Sequence, residues 1–171
     1  MRRLKNIAFA VSTLLILLSQ GGCKIYSFTG ANVSPDIKTV TVEIFENRAP
    51  NGPASYNQTV TDQLKLKLVT EASLKQVTSG GDLVFKGYVV SYGVVALAPT
   101  AQVQTGVNRL NITVHVDYQN TKDEKDKWSK DFTRFAEFPA TEILSSRENQ
   151  LITEINKQLI DDIFNEALVK W

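Results

Sequence analysis

The sequence predicts an α+β domain in which two helices pack on one face of a mixed, mainly antiparallel sheet of four to five strands. Three observations carry that prediction. Leu110, Ile112, Val114, Val116 and Tyr118 alternate strictly with Asn111, Thr113, His115 and Asp117, which is the period of a strand with one core face and one wet face. Tyr56, Val60, Leu64 and Leu68 recur every four residues, as on the buried stripe of a helix. A second helical stripe, Ile152, Ile155, Leu159, Ile163 and Ala167, runs close to the end of the chain and is widened by Leu151, Ile160, Phe164 and Leu168. A stripe that wide belongs in the core.

The chain begins with a segment that is not part of that domain. Arg2, Arg3 and Lys5 form a basic start, and Ile7 to Leu18 is apolar apart from Ser12 and Thr13. The run is shorter than the roughly 20 apolar residues of a membrane span and reads as a secretory leader. It ends in Ser19, Gln20, Gly21 and Gly22 before Cys23, the only cysteine, so no disulfide forms within the chain. Residues 1–22 are therefore expected to be a signal peptide, and residues 23–171 one domain with enough chain to bury a core. The arrangement before Cys23 resembles a bacterial lipobox, which implies acylation of the Cys23 thiol and of the new amino terminus. The residues alone also fit an ordinary export signal with a leftover cysteine.

After the leader, Lys38 to Glu46 alternates, with Val40, Val42 and Ile44 on one face, and predicts a half-buried strand. Asn51, Gly52 and Pro53 turn the chain before the first helix. Leu74 to Thr78 follows as a short strand, so strand, helix and strand form a crossover unit whose strands are expected to be parallel. Leu83 to Leu97 is a long strand with apolar residues of both parities, which predicts a strand covered on both faces or one that meets a partner. Ala98 to Gly106 is an uncharged polar loop. Asn120 to Lys127 carries five charged residues from Lys122 to Asp126 and reads as a hairpin tip. Trp128 to Phe138 is the last strand, with Trp128, Phe132, Ala136 and Phe138 on one parity and Lys130 and Arg134 between them. Ser145 and Glu148 have the spacing of a capping box at the start of the second helix.

Composition narrows the function. Removing Arg2, Arg3 and Lys5 with the leader takes the formal charge from +1 to −2, which leaves no basic field for nucleic acid. The chain has no G-x-S-x-G elbow, no H-E-x-x-H pair and no G-x-x-x-x-G-K loop. His115 is the sole histidine and reads as solvated or hydrogen-bonded rather than as a metal ligand. Asp161 with Asp162, and Asp123 with Glu124, read as solvated surface pairs. No cofactor, no metal and no enzymatic activity are expected.

Tyr26, Ser27 and Phe28, then Gly30, then Pro35 to Val40, then Phe45, Glu46 and Asn47 resemble the start of the LptE family of outer-membrane lipoproteins that assemble lipopolysaccharide. The resemblance implies an α+β fold, lipid anchorage through Cys23 on the periplasmic side of the outer membrane, and a partner, the β-barrel protein LptD, which LptE proteins plug and help to assemble. It also implies lipopolysaccharide binding by basic residues near the last strand. Lys127, Lys130 and Arg134, set among Trp128, Phe132 and Phe135, are the matching candidates. Read alone, the same cations cover a sheet edge and end in water. The loop from Pro99 to Gly106 and the face bearing Asn111, Thr113 and His115 suit a polar barrel lumen. A different class remains open: an envelope lipoprotein that binds another ligand, such as peptidoglycan, or serves another outer-membrane machine.

Overall fold

The computed structural model describes residues 33–98 and 106–169; Cys23 and the leader lie outside them, as do residues 99–105 of the polar loop. The elements in chain order are β1 (Thr39–Val42), β2 (Glu46–Asn47), α1 (Tyr56–Glu71), β3 (Lys75–Gln76), β4 (Leu83–Leu97), β5 (Val107–Asn120), β6 (Lys127–Pro139) and α2 (Leu144–Leu168). The strands form one sheet in the order β3-β1-β4-β5-β6, with β2 also on β4. β1 runs parallel to β3 and β4, and β2 runs parallel to β4. β4, β5 and β6 form an antiparallel meander. The fold class and the parallel crossover are as the sequence predicts. The sheet has six strands because the first predicted strand divides in two.

That division has a physical cause. Val42 pairs with Phe85, yet Glu46 pairs with Tyr88, so residues 43–45 span a stretch that β4 covers with residues 86 and 87. One extra residue reverses the side-chain parity. Val40 and Val42 point into the core, but Phe45 takes the next inward place at 1% exposure and Ile44 is turned out at 61%. Gly87 makes the space, since a Cβ there would lie 2.9 Å from the Phe45 ring. Helix α1 satisfies the backbone freed by the break: the Phe45 N–H donates to Thr61 Oγ1 at 3.0 Å, and Asn57 Nδ2 donates to the Phe45 carbonyl at 2.7 Å.

β4 carries a second parity change. Val89 pairs with Val114 and Ser91 with Thr113, leaving Val90 as the inserted residue of a bulge. Leu83, Phe85 and Val89 are buried before it and Tyr92 after it. The apolar residues of both parities therefore reflect this shift of the inward face. The expectation of a strand covered on both sides is corrected: Val90 and Val95 are exposed away from the helices, and Val94, opposite buried Leu110 on the helix side, is also exposed toward the end of the strand.

The core fills the space between the helices and the inward face of the sheet. Val60, Leu64 and Leu68 of α1 and Ile155, Leu159 and Ile163 of α2 are fully buried, as are Leu110, Ile112, Val114 and Val116 of β5. Burial of each such side chain contributes about 1.5–3 kcal/mol. Between the helices, Tyr56 Oη donates to Asn156 Oδ1 at 2.5 Å. The capping box expected from Ser145 and Glu148 does not form. The helix starts at Leu144, which puts Ser145 inside its first turn, and the N-cap position falls on Ile143 with no side-chain cap.

Candidate functional site

β6 is the last strand of the sheet path, so among the described residues one of its two edges carries no partner strand. Alternation along it sorts the candidate residues. Trp128, Lys130, Phe132, Arg134, Ala136 and Phe138 share the parity that faces α2, whereas Lys127 and Phe135 lie on the opposite parity. The three expected cations are thus not brought together. Lys130 and Arg134 meet the helix; Lys127 borders a cleft of ≈ 370 Å³ with Val84, Lys86 and Trp128.

Lys130 Nζ donates to Glu166 Oε1 at 2.5 Å. Arg134 grips Asp162 with two parallel bonds, Nε to Oδ2 at 2.6 Å and Nη2 to Oδ1 at 2.8 Å. These hydrogen bonds raise the Arg134 pKa above its ordinary value. Asp162 and Glu166 stand four residues apart on α2 and so share one helix face. A groove of ≈ 910 Å³ runs between the strand and the helix, lined by Trp128, Phe132, Arg134, Asp162, Asn165 and Glu166 among others.

Aromatic rings lead from the core into this groove. Phe85 lies 5.2 Å from Tyr118, Tyr118 stacks on Trp128 at 5.2 Å, and Trp128 meets Phe132 edge to face at 5.6 Å. The Trp128 indole nitrogen is buried and has no hydrogen-bond partner among the described residues. Asp162 and Glu166 were not legible as partners of the basic strand. The available signal was parity, since cations on the same parity as core aromatics must face whatever covers that side. Asp161, beside Asp162, turns instead to Lys67 of α1 at 2.8 Å.

The other face of the β4–β5–β6 meander carries rows of polar side chains. Thr113 Oγ1 lies 2.9 Å from Thr133 Oγ1, and Arg109 Nη2 donates to Glu137 at 2.5 Å while its guanidinium covers the Phe135 ring. His115 is held on both sides, with Nδ1 2.6 Å from Asp131 and Nε2 3.0 Å from Ser129. Its ring stacks on Tyr88, which in turn lies under the Arg48 guanidinium. His115 is thus hydrogen-bonded, as its neighbours in the sequence suggest. The Ser129, His115 and Asp131 series has the reach of a catalytic relay, but its atoms lie on an exposed sheet surface rather than in a cleft that excludes water. Among the described residues no group of His, Cys, Asp and Glu has the arrangement to hold a metal ion, and no helix is long and apolar enough to cross a membrane.

Comparison with known proteins gives the family and the fold. The model of the family described as "LptE: Lipopolysaccharide-assembly" matches residues 37–167. Among solved structures, lipoprotein B from Nitrosomonas europaea is similar with a TM-score of 0.53 at 15% identity, over 84% of this chain and 88% of that one. A protein from Xanthomonas campestris gives a TM-score of 0.53 at 8% identity, over 81% and 90%. Rare lipoprotein B from Shewanella oneidensis gives 0.45 at 10% identity, over 75% and 90%. No curated protein matches the chain. At these identities the structural likeness concerns the fold.

Proposed function

The chain belongs to the LptE lipopolysaccharide-assembly family, and from that premise we propose that it is an outer-membrane lipoprotein that plugs an LptD-like β-barrel, helps it assemble and binds lipopolysaccharide on its way to the outer leaflet. In this reading Cys23 carries the lipids, residues 1–22 are removed, and residues 23–171 form the domain on the periplasmic side. Several acyl chains, each methylene contributing about 0.8 kcal/mol on burial, hold such a protein on the membrane. The role is one of binding and assembly, not catalysis.

The observation that supports the plug most directly is the uncovered sheet face. Helices α1 and α2 cover one side of the meander, and the other presents Thr113, Thr133, His115, Asp131, Arg109 and Glu137 as a hydrogen-bonding surface. The lumen of an outer-membrane barrel is polar and offers matching groups. A solvated domain needs no such partner, but a plug uses that face without leaving polar groups unpaired.

For lipopolysaccharide, the groove between β6 and α2 offers Arg134 beside half-buried rings, and Lys130 reaches its wall at Glu166. Lys130 and Arg134 would meet the phosphates and Trp128 and Phe132 the apolar parts, with Lys127 supplying charge from the opposite face of β6. Detergent extraction of the native envelope, purification of the chain and identification of what accompanies it tests the whole reading. A barrel protein and lipopolysaccharide should co-purify in a stable complex. A monomer that retains cell-wall fragments instead would overturn it in favour of an envelope module for another ligand.

A further inference from the structure

The groove between β6 and α2 includes an open strand edge. Asp131 and Thr133 line it together with Trp128, Phe132 and Arg134, so residues of both parities border one cavity and the β6 backbone between them faces it. On its other edge β6 pairs with β5 from Lys127 to Pro139. A row of backbone N–H and C=O groups beside aromatic rings is what an added strand takes up. The Trp128 indole N–H contributes a further donor: it is buried, its ring borders this groove, and it has no acceptor among the described residues.

The chain itself brings a strand-like segment to the mouth of the groove. Val33 packs on the core and lines a neighbouring cavity with Ala167 and Leu168. Asp126 borders both cavities, so the chain at residue 33 joins the domain where the groove begins. In residues 24–32, which lie outside the described residues, Lys24, Tyr26 and Phe28 alternate with Ile25, Ser27 and Thr29, the period and residue types of a strand. Extended, that segment reaches about 30 Å, and Trp128 to Arg134 covers about 20 Å of β6, so it can run the length of the groove from Val33. It approaches Val33 while β6 leads away from Asp126, which makes the two directions antiparallel. Charge favours the fit: the groove wall carries Asp126, Asp131, Asp162 and Glu166 against Arg134, whereas residues 24–32 hold Lys24 and no carboxylate.

We propose that residues 24–32 dock along the free edge of β6 as a further antiparallel strand, with Tyr26 and Phe28 turned toward Trp128 and Phe132 and a carbonyl of the segment accepting the indole N–H. The groove is then an intramolecular seat for the start of the mature chain. With the lipids on Cys23, as proposed above, docking holds the anchor near the Arg134 end of the groove and sets which side of the domain faces the bilayer. An undocked segment would leave the domain to turn on a tether of about 30 Å. The docking does not rest on the lipopolysaccharide reading, and lipopolysaccharide would reach the two rings by displacing the segment.

The test uses the mature chain in detergent, free of lipopolysaccharide. With p-benzoylphenylalanine in place of Phe28, irradiation should join residue 28 to β6 or α2 within the groove, and mass spectrometry of the digest reads the site. Hydrogen exchange of the β6 amides on the free edge should quicken by at least about tenfold in Tyr26→Ser/Phe28→Ser, while β5 amides, held between two strands, keep their rates. Lys24→Glu should quicken the same β6 amides by a smaller factor. Circular dichroism checks that each variant folds. Crosslinks that map outside the groove, or equal β6 exchange in the wild type and folded Tyr26→Ser/Phe28→Ser, overturn the docking and leave the lipopolysaccharide reading standing. Crosslinks within the groove of a chain that then fails to bind added lipopolysaccharide support the docking and remove that reading instead.

Discussion

Tyr92 of β4 donates its hydroxyl to Glu148 of α2 at 2.6 Å, tying the strand just beyond its bulge to the start of the long helix. Burial, and then the Glu148 carboxylate, push the Tyr92 pKa well above its ordinary value, so the hydroxyl remains a donor throughout the accessible pH range. Glu148 is therefore occupied by the sheet and not by a helix cap.

The two roles for Glu148 differ in what they couple. Tyr92→Phe and Glu148→Ala should each cost about 1 kcal/mol. Together they should cost less than their sum by about 0.5 kcal/mol or more, because each removes the same bond. Ser145→Ala, which breaks no cap, should be close to neutral. Urea unfolding of the wild type and the four variants decides it, and strict additivity of Tyr92→Phe with Glu148→Ala would return the residue to a capping role.

Two glycines of β4 should respond oppositely to alanine. A Cβ at Gly87 would lie 2.3 Å from the His115 carbonyl oxygen and 2.9 Å from the Phe45 ring, and the backbone atom cannot swing away as a flexible side chain would. Gly87→Ala is expected to destabilise by about 1–3 kcal/mol or more, the range for overpacking a filled site. At Gly93 a Cβ meets nothing within 4 Å, and Gly93→Ala should be neutral or slightly stabilising. Equal melting temperatures for the two variants would contradict the packing of Phe45 against β4.

Asp82 joins three parts of the chain. Its Oδ2 accepts the backbone N–H of Lys38 at 2.9 Å, the N–H of Thr39 at 3.0 Å and the Thr39 hydroxyl at 2.8 Å, and its Oδ1 lies 3.2 Å from Lys122 Nζ in the β5–β6 hairpin. Those donors, the Lys38 N–H first, hold its pKa far below the ordinary carboxylate range. A depressed folded-state pKa gives stability that is fully present above the unfolded value of about 3.9 and is lost as the pH falls toward the folded one. Wild-type stability should therefore decline below about pH 4, and Asp82→Asn should be less stable at neutral pH with a shallower decline on acidification. Parallel acid titrations in urea check the slope. Identical slopes would mean that Asp82 does not drive the transition.

The strand β5 and the stripes of α1 and α2 were legible because their periods are uninterrupted and each faces a single layer. Tyr56, Val60, Leu64 and Leu68 are all buried, as are Leu110, Ile112, Val114, Val116 and Tyr118. Ile44 and Val90 show where the same logic fails. A single inserted residue reverses every later side chain, and nothing in the alternation of Val40, Val42 and Ile44 marks the break. Its cause is a distant one, the space at Gly87 that admits Phe45. The site was half legible. Parity placed Lys130 and Arg134 with the core aromatics, but which carboxylates meet them depends on the angle at which α2 crosses β6, a tertiary quantity.

The plug reading makes a last prediction about which side of the sheet meets the barrel. Ser91, Thr113 and Thr133 form one row across β4, β5 and β6, and Ser91 and Thr133 are exposed at its two ends. Neighbouring strands stand about 4.8 Å apart, so arginines at Ser91 and Thr133 would be about 10 Å from each other and free to extend into water. The isolated domain should tolerate Ser91→Arg with Thr133→Arg at a cost of ~0.5 kcal/mol for each surface change, aside from the lost Thr113 contact. Against a barrel wall the same side chains have no room and bring two unpaired charges into an interface, so barrel co-purification should fall by at least about tenfold. Glu154→Arg, on the exposed side of α2, provides the matching change on the helical layer and should leave the complex largely intact. Retention of the barrel by the folded sheet variant, with loss by Glu154→Arg, would mean that the helices face the wall. In that case the polar rows around His115 would face water, and the groove between β6 and α2 would lie at the interface itself.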